Sequence, residues 1–241
     1  VTVRWYGLFL SLALVAAFFQ LRYLVFSAGK AEYFDRIILF AFFGGVIGAR
    51  VGHFLFYETA VLLEQPSVLV DLNMPGLASH GAIVGLMVSL WLSSLGQTFA
   101  VIWIYARTAI AYVLFCVIIR LGNFFNSEIL GTPTDRPWAV TFARVDDLPR
   151  HPVQLYESAA CAVCLVFLLW LLARSGDDRK TFGAALVSMS LIRLVTESFK
   201  APQAAIEAGL PLTVGQYLTF PFLLAGLILL SIAFRYRSAS I

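Results

Sequence analysis

The chain has 241 residues, 60% hydrophobic and 13% charged, with a net charge of +3 and a mean hydropathy of +0.85. A soluble domain is about 45–50% apolar, and the repeated runs here of about 20 apolar residues match a bilayer's thickness, so the chain reads as an all-α polytopic membrane protein. The small, dispersed positive charge gives no footing for nucleic-acid binding.

The first predicted span covers 5–26, with Trp5 and Tyr6 where interfacial aromatics belong. It continues without a small-residue cleavage site, so no cleavable signal peptide is expected. The chain opens on Val1 rather than Met, which is read as a missing or processed native N-terminus. The second span, 36–57, carries glycines at 44, 45, 48 and 52, a small-residue face suited to tight helix contact. That face leaves Arg50 and His53 on the same span unexplained. Residues 58–79 are too polar and proline-broken to span; Val61, Leu62, Val68 and Leu69 give them the apolar side of an interfacial arm.

The third span is expected at 80–95, the fourth at 99–121. A small extramembrane head follows at 123–152, with one strand expected at 138–142. The fifth span is placed at 153–173, the sixth at 181–199 and the seventh at 212–234, with a loop before the last. Seven spans in a single membrane domain, 1–241, result. Basic residues orient them: with the N-terminus outside, Lys30, Arg36, Arg174, Arg179, Lys180, Arg235 and Arg237 collect inside, against Arg4, Arg136, Arg144, Arg150 and Lys200 outside. The prediction is N-out and C-in, with the head and the His80 end of the third span on the outer side.

Three cysteines occur, and Cys161 and Cys164 form a CxxC. Their flanks are wholly apolar with no ligand set nearby, so all three are read as small core residues rather than a redox or metal pair. The densest polar patch is different. Arg120, Asn123, Asn126, Ser127 and Glu128 fall within nine residues at the end of the fourth span. An arginine at membrane depth costs about 2.5–3.5 kcal/mol on insertion scales, so it should face protein or water and have a function there. Arg193 and Glu197 lie four apart on one face of the sixth span. Singly, His80 reads as an interfacial residue, Arg193–Glu197 as a structural pair, and Glu128 with its asparagines as a hydrogen-bonded helix end. Together, polar groups aimed at one depth mark a ligand site, and arginine pairs suit phosphate. The residues alone lead to a phospholipid-handling enzyme or an anion transporter.

Several stretches carry a more specific resemblance: WYG at 5–7, GARVGHFLFY at 48–57, HG at 80–81, RLGNFFNSEILG at 120–131, RHPVQLYES at 150–158, RLVTESFK at 193–200 and GQYL at 215–218. In that order, over almost the whole chain, they resemble the prolipoprotein diacylglyceryl transferase family. The resemblance implies an enzyme of the bacterial inner membrane, seven spans N-out and C-in, with its site toward the periplasm. It implies transfer of a diacylglyceryl group from phosphatidylglycerol to the lipobox cysteine thiol of a prolipoprotein, releasing glycerol phosphate, with no cofactor and no metal. The positions that match the family's functional residues are Tyr6, His80, Arg120, Asn123, Glu128, Gly131, Arg193 and Glu197. On this reading His80 or Glu128 takes the thiol proton, and Arg120 and Arg193 stabilise the leaving phosphate. Asn123 and Asn126 orient the headgroup, and Glu197 holds Arg193.

The chain departs from the commoner pattern at ASHG (78–81), at NSE (126–128) where NGE is frequent, at His53, at Met189 where many members carry Tyr, and in its short head. These features resemble the Bacteroidetes branch. A transporter should show repeated halves with broken helices, and no convincing repeat is found; a passive scaffold leaves the buried Arg and His residues without a purpose.

Overall fold

The computed structural model describes residues 5–71, 76, 78–201 and 212–238; Arg4 and the loop at 202–211 lie outside the described residues. The described chain is helical almost throughout: α1 (Trp5–Phe26), α2 (Phe34–Phe56), a short α3 (Thr59–Glu64), α4 (Ser79–Ser94), α5 (Val101–Phe125), α6 (Val153–Ser175), α7 (Asp178–Glu197), a four-residue α8 (Val214–Tyr217) and α9 (Phe220–Ser238). The only sheet among the described residues joins β1 (Val140–Thr141) to β2 (Pro149–Arg150), antiparallel, with Val140 opposite Arg150. The strand expected at 138–142 is thus a two-residue piece of a hairpin.

Among the described residues, five helical segments are long and apolar enough to cross a membrane: Trp5–Phe26, Ala31–Phe56, Val101–Phe125, Val153–Ser175 and Gly215–Arg235. Apolar side chains such as Phe19, Phe42, Val163 and Leu224 stay exposed along them, a surface that hydrocarbon covers and water does not. The helices at the other two expected spans exist but fall short of this measure. At about 1.5 Å per residue, the 16 residues of α4 extend about 24 Å against a hydrocarbon core of about 30 Å. α7 carries Asp178, Arg179 and Lys180 at one end and Arg193 and Glu197 at the other.

The chain divides into two compact units. In the unit from Leu24 to Tyr105, α2 and α4 meet backbone to backbone. A Cβ on Gly48 would lie 2.6 Å from the Gly85 Cα, and one on Gly52 2.5 Å from the Gly81 Cα; Gly44 faces Ser89 and the Gly85 carbonyl in the same way. Three of the four glycines of the expected small-residue face form this seam, while Gly45 points into open space. Arg50, unexplained by the sequence, ties down the described residues of the 58–79 arm. Its guanidinium donates to the carbonyls of Val68 (2.7 Å), Leu69 (3.4 Å) and Gly76 (3.4 Å) and to that of Asp71, and lies over the Phe54 ring. The arm's expected apolar side faces protein, with Val68 fully buried, and Leu63 and Val70 are the exposed apolar residues. The interfacial arm is therefore folded back on α2 through the side assigned to lipid, because four carbonyls need the arginine's donors.

The second unit comprises the residues up to Tyr23 and those from Ala106 onward. Trp5 and Phe9 of α1 pack on Phe125 of α5, with centroids 5.8 and 5.3 Å apart. Ser158 of α6 donates to the Val117 carbonyl at 2.8 Å. Gly226 of α9 packs on Leu186 and Val187 of α7. Cys116, Cys161 and Cys164 are buried free thiols of α5 and α6. The head is stitched to the end of α7: Thr132 N–H donates to the Phe199 carbonyl (2.8 Å) and Ala201 N–H to that of Leu130 (2.9 Å), around a bridge between Gly131 and Lys200.

Candidate active site at the end of α5

The last turns of α5 place Arg120 and Asn123 three residues apart, on one face. Arg120 Nη1 donates to Asn123 Oδ1 (3.3 Å), and Asn123 Nδ2 donates to Glu128 Oε2 (3.3 Å). Asn126 Nδ2 donates to the other oxygen, Oε1. Asn123 is buried and Glu128 exposed, so the row runs from the helix interior to its mouth. The backbone that presents Glu128 is strained on both sides: Ser127 has φ 57° and Ile129 φ 55°. The left-handed region costs a non-glycine residue about 1–2 kcal/mol and suits a β-branched one least. Gln154 of α6 holds this turn by donating to the Glu128 carbonyl at 2.6 Å.

Behind the row lies an alternating chain of charges. Arg120 Nε sits 2.7 Å from Glu157 Oε2, an ion-pair contact without the angle of a hydrogen bond. Lys200 Nζ lies 2.8 Å from Glu157 Oε1 and 2.9 Å from Glu197 Oε2. Thr196 donates to Glu157 Oε1 (3.0 Å), and Thr213 donates to Glu197 Oε1 (3.3 Å). The side chains of Glu157 and Lys200 are only 5% and 6% exposed. Buried charges persist when each has a partner, and here each carboxylate has at least one cation.

Arg193 stands apart from this compensation. The expected Arg193–Glu197 clasp is replaced, since the Glu197 carboxylate is engaged by Lys200 and Thr213. Arg193 Nε is buried with no hydrogen-bond partner. The backbone of Gly215, in GQYL, backs both groups: a Cβ there would come within 2.8 Å of Arg193 Nη2 and 3.1 Å of Glu197 Oε1. A buried guanidinium edge without an acceptor is suited to an anion.

Gly131 occupies a crossing with no room for a side chain, since a Cβ would meet the His151 carbonyl and come within 2.9 Å of Val153 Cγ2. Its own carbonyl accepts from Arg150 Nη1 at 3.0 Å. Tyr6 is exposed on the first turn of α1, between the two residues that pack on Phe125. His80 belongs to the other unit, half-buried on the first turn of α4 beside Gly81, whose contact with Gly48 and Gly52 sets its position. In the head, Arg150 bonds Asp146 through Nη2–Oδ2 (2.5 Å) and Nε–Oδ1 (3.3 Å). These bonds hold the Asp146 carboxyl below the usual carboxylate range and push the Arg150 guanidinium up.

Glu157, Thr196, Lys200 and Gly215 escaped the residue-by-residue reading. A signal for Glu157 was present: an acid inside an otherwise apolar span, α6, is expensive and rarely idle. Lys200 reads from the sequence as one of the outer basic residues, and its contacts with Glu157 and Glu197 show it buried.

Helices long enough to cross a bilayer, ending in a buried set of arginines and paired carboxylates, define a membrane protein equipped to hold an anionic group. The chain belongs to the prolipoprotein diacylglyceryl transferase family, whose sequence profile matches residues 1–232. It is 38% identical to the phosphatidylglycerol–prolipoprotein diacylglyceryl transferase of Tolumonas auensis, with 99% of this chain and 94% of the relative covered. The protein of the same name from Chloroherpeton thalassium is 39% identical, at 95% and 88% coverage. That from Bacteroides fragilis is 34% identical, at 94% and 88%, so identity does not single out the branch suggested by the sequence departures.

Proposed function

We propose that this protein transfers the diacylglyceryl group of phosphatidylglycerol to the lipobox cysteine thiol of prolipoproteins, the first step of lipoprotein maturation. It is a transferase of the bacterial inner membrane, and all of 1–241 acts as one membrane domain. α4 and α7 join the five long apolar segments as crossings, giving seven spans with the N-terminus outside and the site toward the periplasm. The distribution of Lys30, Arg36, Arg174, Arg179, Lys180, Arg235 and Arg237 supports that orientation. Topology reporters fused after Thr134 and after Gly176 should read periplasmic and cytoplasmic respectively.

The reaction joins the thiol sulfur to the glycerol carbon next to the phosphate. The carbon–oxygen bond to phosphate breaks, and its electron pair leaves with glycerol phosphate. The thiol proton passes to a base and then to the leaving group or solvent. The observation that carries the reading is Arg193: Glu157 and Glu197 engage Arg120 and Lys200, while the buried Arg193 Nε keeps no acceptor among the described residues. Arg193 and Arg120 together receive the phosphate and its growing charge in a low-dielectric setting. Asn123 couples Arg120 to Glu128, so headgroup orientation and the carboxylate at the mouth are set together. Asn126 completes the hold on Glu128, and Tyr6 offers an aromatic edge to the incoming lipid. Glu197 positions Lys200, and Gly131 keeps the crossing beneath the site narrow.

The direct test combines purified protein, phosphatidylglycerol and a lipobox peptide. The peptide should gain one diacylglyceryl unit as glycerol phosphate appears, and a Cys→Ser peptide should gain nothing. Arg120→Ala should lower the rate by about 10²–10³, the scale for losing one preorganised charge contact, without preventing insertion; a near-normal rate would remove Arg120 from the leaving-group role. The thiol's base is either Glu128 or His80. Loss of the acid limb of the pH–rate profile in Glu128→Gln, with the limb kept in His80→Asn, assigns Glu128; the reverse pattern assigns His80.

A further inference from the structure

The other end of α6 carries a basic feature that the transfer reaction does not use. Arg174 lies 17 residues beyond Glu157 on the same helix, about 25 Å away at about 1.5 Å per residue. A cavity of about 760 Å³ opens there, at the turn into α7. Arg174, Arg179 and Lys180 line it together with Trp170, Phe234 and Asp177. Asp177 is already committed: its carboxylate caps α7 by accepting from the Arg179 and Lys180 backbone N–H groups (3.0 and 3.3 Å), and Lys180 Nζ lies 3.4 Å from it. Asp177 is the one carboxylate of the lining among the described residues, and it is already engaged. Lys180 is buried, with its ammonium 5.6 Å from the centre of the Phe234 ring, while Arg174 and Arg179 sit exposed at the rim.

The walls identify the occupant. Trp170 and Phe234 are more than half exposed and stand near the ends of α6 and α9, two segments apolar enough to cross the membrane. Basic residues that merely orient a span need no cavity, and a soluble anion gains nothing from an aromatic wall. A lipid phosphate uses both, with guanidinium and ammonium groups on its oxygens and the upper acyl chain along the rings; basic pockets between membrane helices recognise anionic headgroups in this way. We propose that this cavity binds the headgroup of an anionic phospholipid, as a second lipid site apart from the Arg120–Arg193 cluster.

The test uses delipidated full-length protein in detergent, with phosphatidylserine as the anionic probe, phosphatidylcholine as the neutral control and inorganic phosphate as the acyl-free anion, bound species being counted by native mass spectrometry. Arg174→Gln/Arg179→Gln should weaken phosphatidylserine retention roughly thirtyfold, while Arg120→Ala leaves it unchanged. If the double variant does not insert, Arg174→Glu at its exposed position makes the same comparison. Equal retention in these variants and the unmodified protein overturns the proposal. So does loss in Arg120→Ala alone, which would place the lipid at the other end, and so does displacement by inorganic phosphate, which would make the site one for soluble anions.

Discussion

The seam between α2 and α4 and the charged end of α5, α6 and α7 are held together by opposite means. The seam has almost no side chains: Gly48, Gly52, Gly81 and Gly85 bring two backbones into contact, and dispersion over close-packed atoms does the work. The charged end rests on long side chains from three helices, Arg120, Glu157, Glu197 and Lys200, each useful only while its neighbour is present. The first can fail by addition of one carbon; the second fails by subtraction of one charge. Glycine contact needs no polar partner in an apolar setting, whereas buried charge needs one for every group.

The largest effect should come from subtraction. Glu157→Leu leaves Arg120 without its carboxylate and Lys200 with Glu197 alone, and breaking a buried pair costs about 3–5 kcal/mol. A thermal shift of the purified protein should fall steeply, and more than for Lys200→Met, which leaves Glu157 its contact with Arg120. Equal shifts would mean that the chain of charges is not coupled through Glu157. Addition comes next. Gly48→Ala drives a methyl into the Gly81 carbonyl and Gly85 Cα, at a cost of about 1–3 kcal/mol, whereas Gly45→Ala, facing open space, should be silent. A comparable loss at both positions would dissolve the seam as an explanation.

Ser127→Gly should move the other way. It relieves a left-handed residue next to Glu128, worth about 1–2 kcal/mol before glycine's extra chain entropy takes back part of it. A small rise in thermal stability with activity kept is the expected result, and a fall would mean that the Ser127 side chain has a role of its own. The smallest effect concerns the head. Because Arg150 lowers the Asp146 carboxyl in the folded state, this pair's contribution is complete above the ordinary aspartate range. It fades only as pH drops through the lowered value. Protection from hydrogen exchange at 140–150, measured relative to the intrinsic rate at each pH, should therefore fall in acid alone, and Asp146→Asn should abolish that change.

How much of this was legible in the sequence follows the same division. Apolar runs located the seven long helices but not the short α3 and α8, and the four-residue spacing of Gly44, Gly48 and Gly52 gave the seam's face, because both are patterns within one element. The patch from Arg120 to Glu128 was visible because charge is scarce in an apolar chain. The partners were not. Glu157 and Lys200 lie 37 and 80 residues beyond Arg120, and no local rule pairs them. Arg50, which the glycine face leaves unexplained, holds carbonyls 18 to 26 positions onward, a task that leaves no trace in composition. The two shorter or more polar helices, α4 and α7, show why counting apolar runs gives seven while length with hydropathy gives five among the described residues.

The stitching of the head to α7 bears on how the protein can be handled. The hydrogen bonds of Thr132 and Ala201, the bridge at Lys200 and the Arg150 bond to Gly131 secure both arms of the hairpin near its base. Its tip, with Ala143, Arg144 and Val145 exposed, carries none of that load. An affinity tag or fluorophore spliced in at the tip should leave the stitched base intact. That gives a handle beside the α5 cluster, for watching single molecules without touching either terminus.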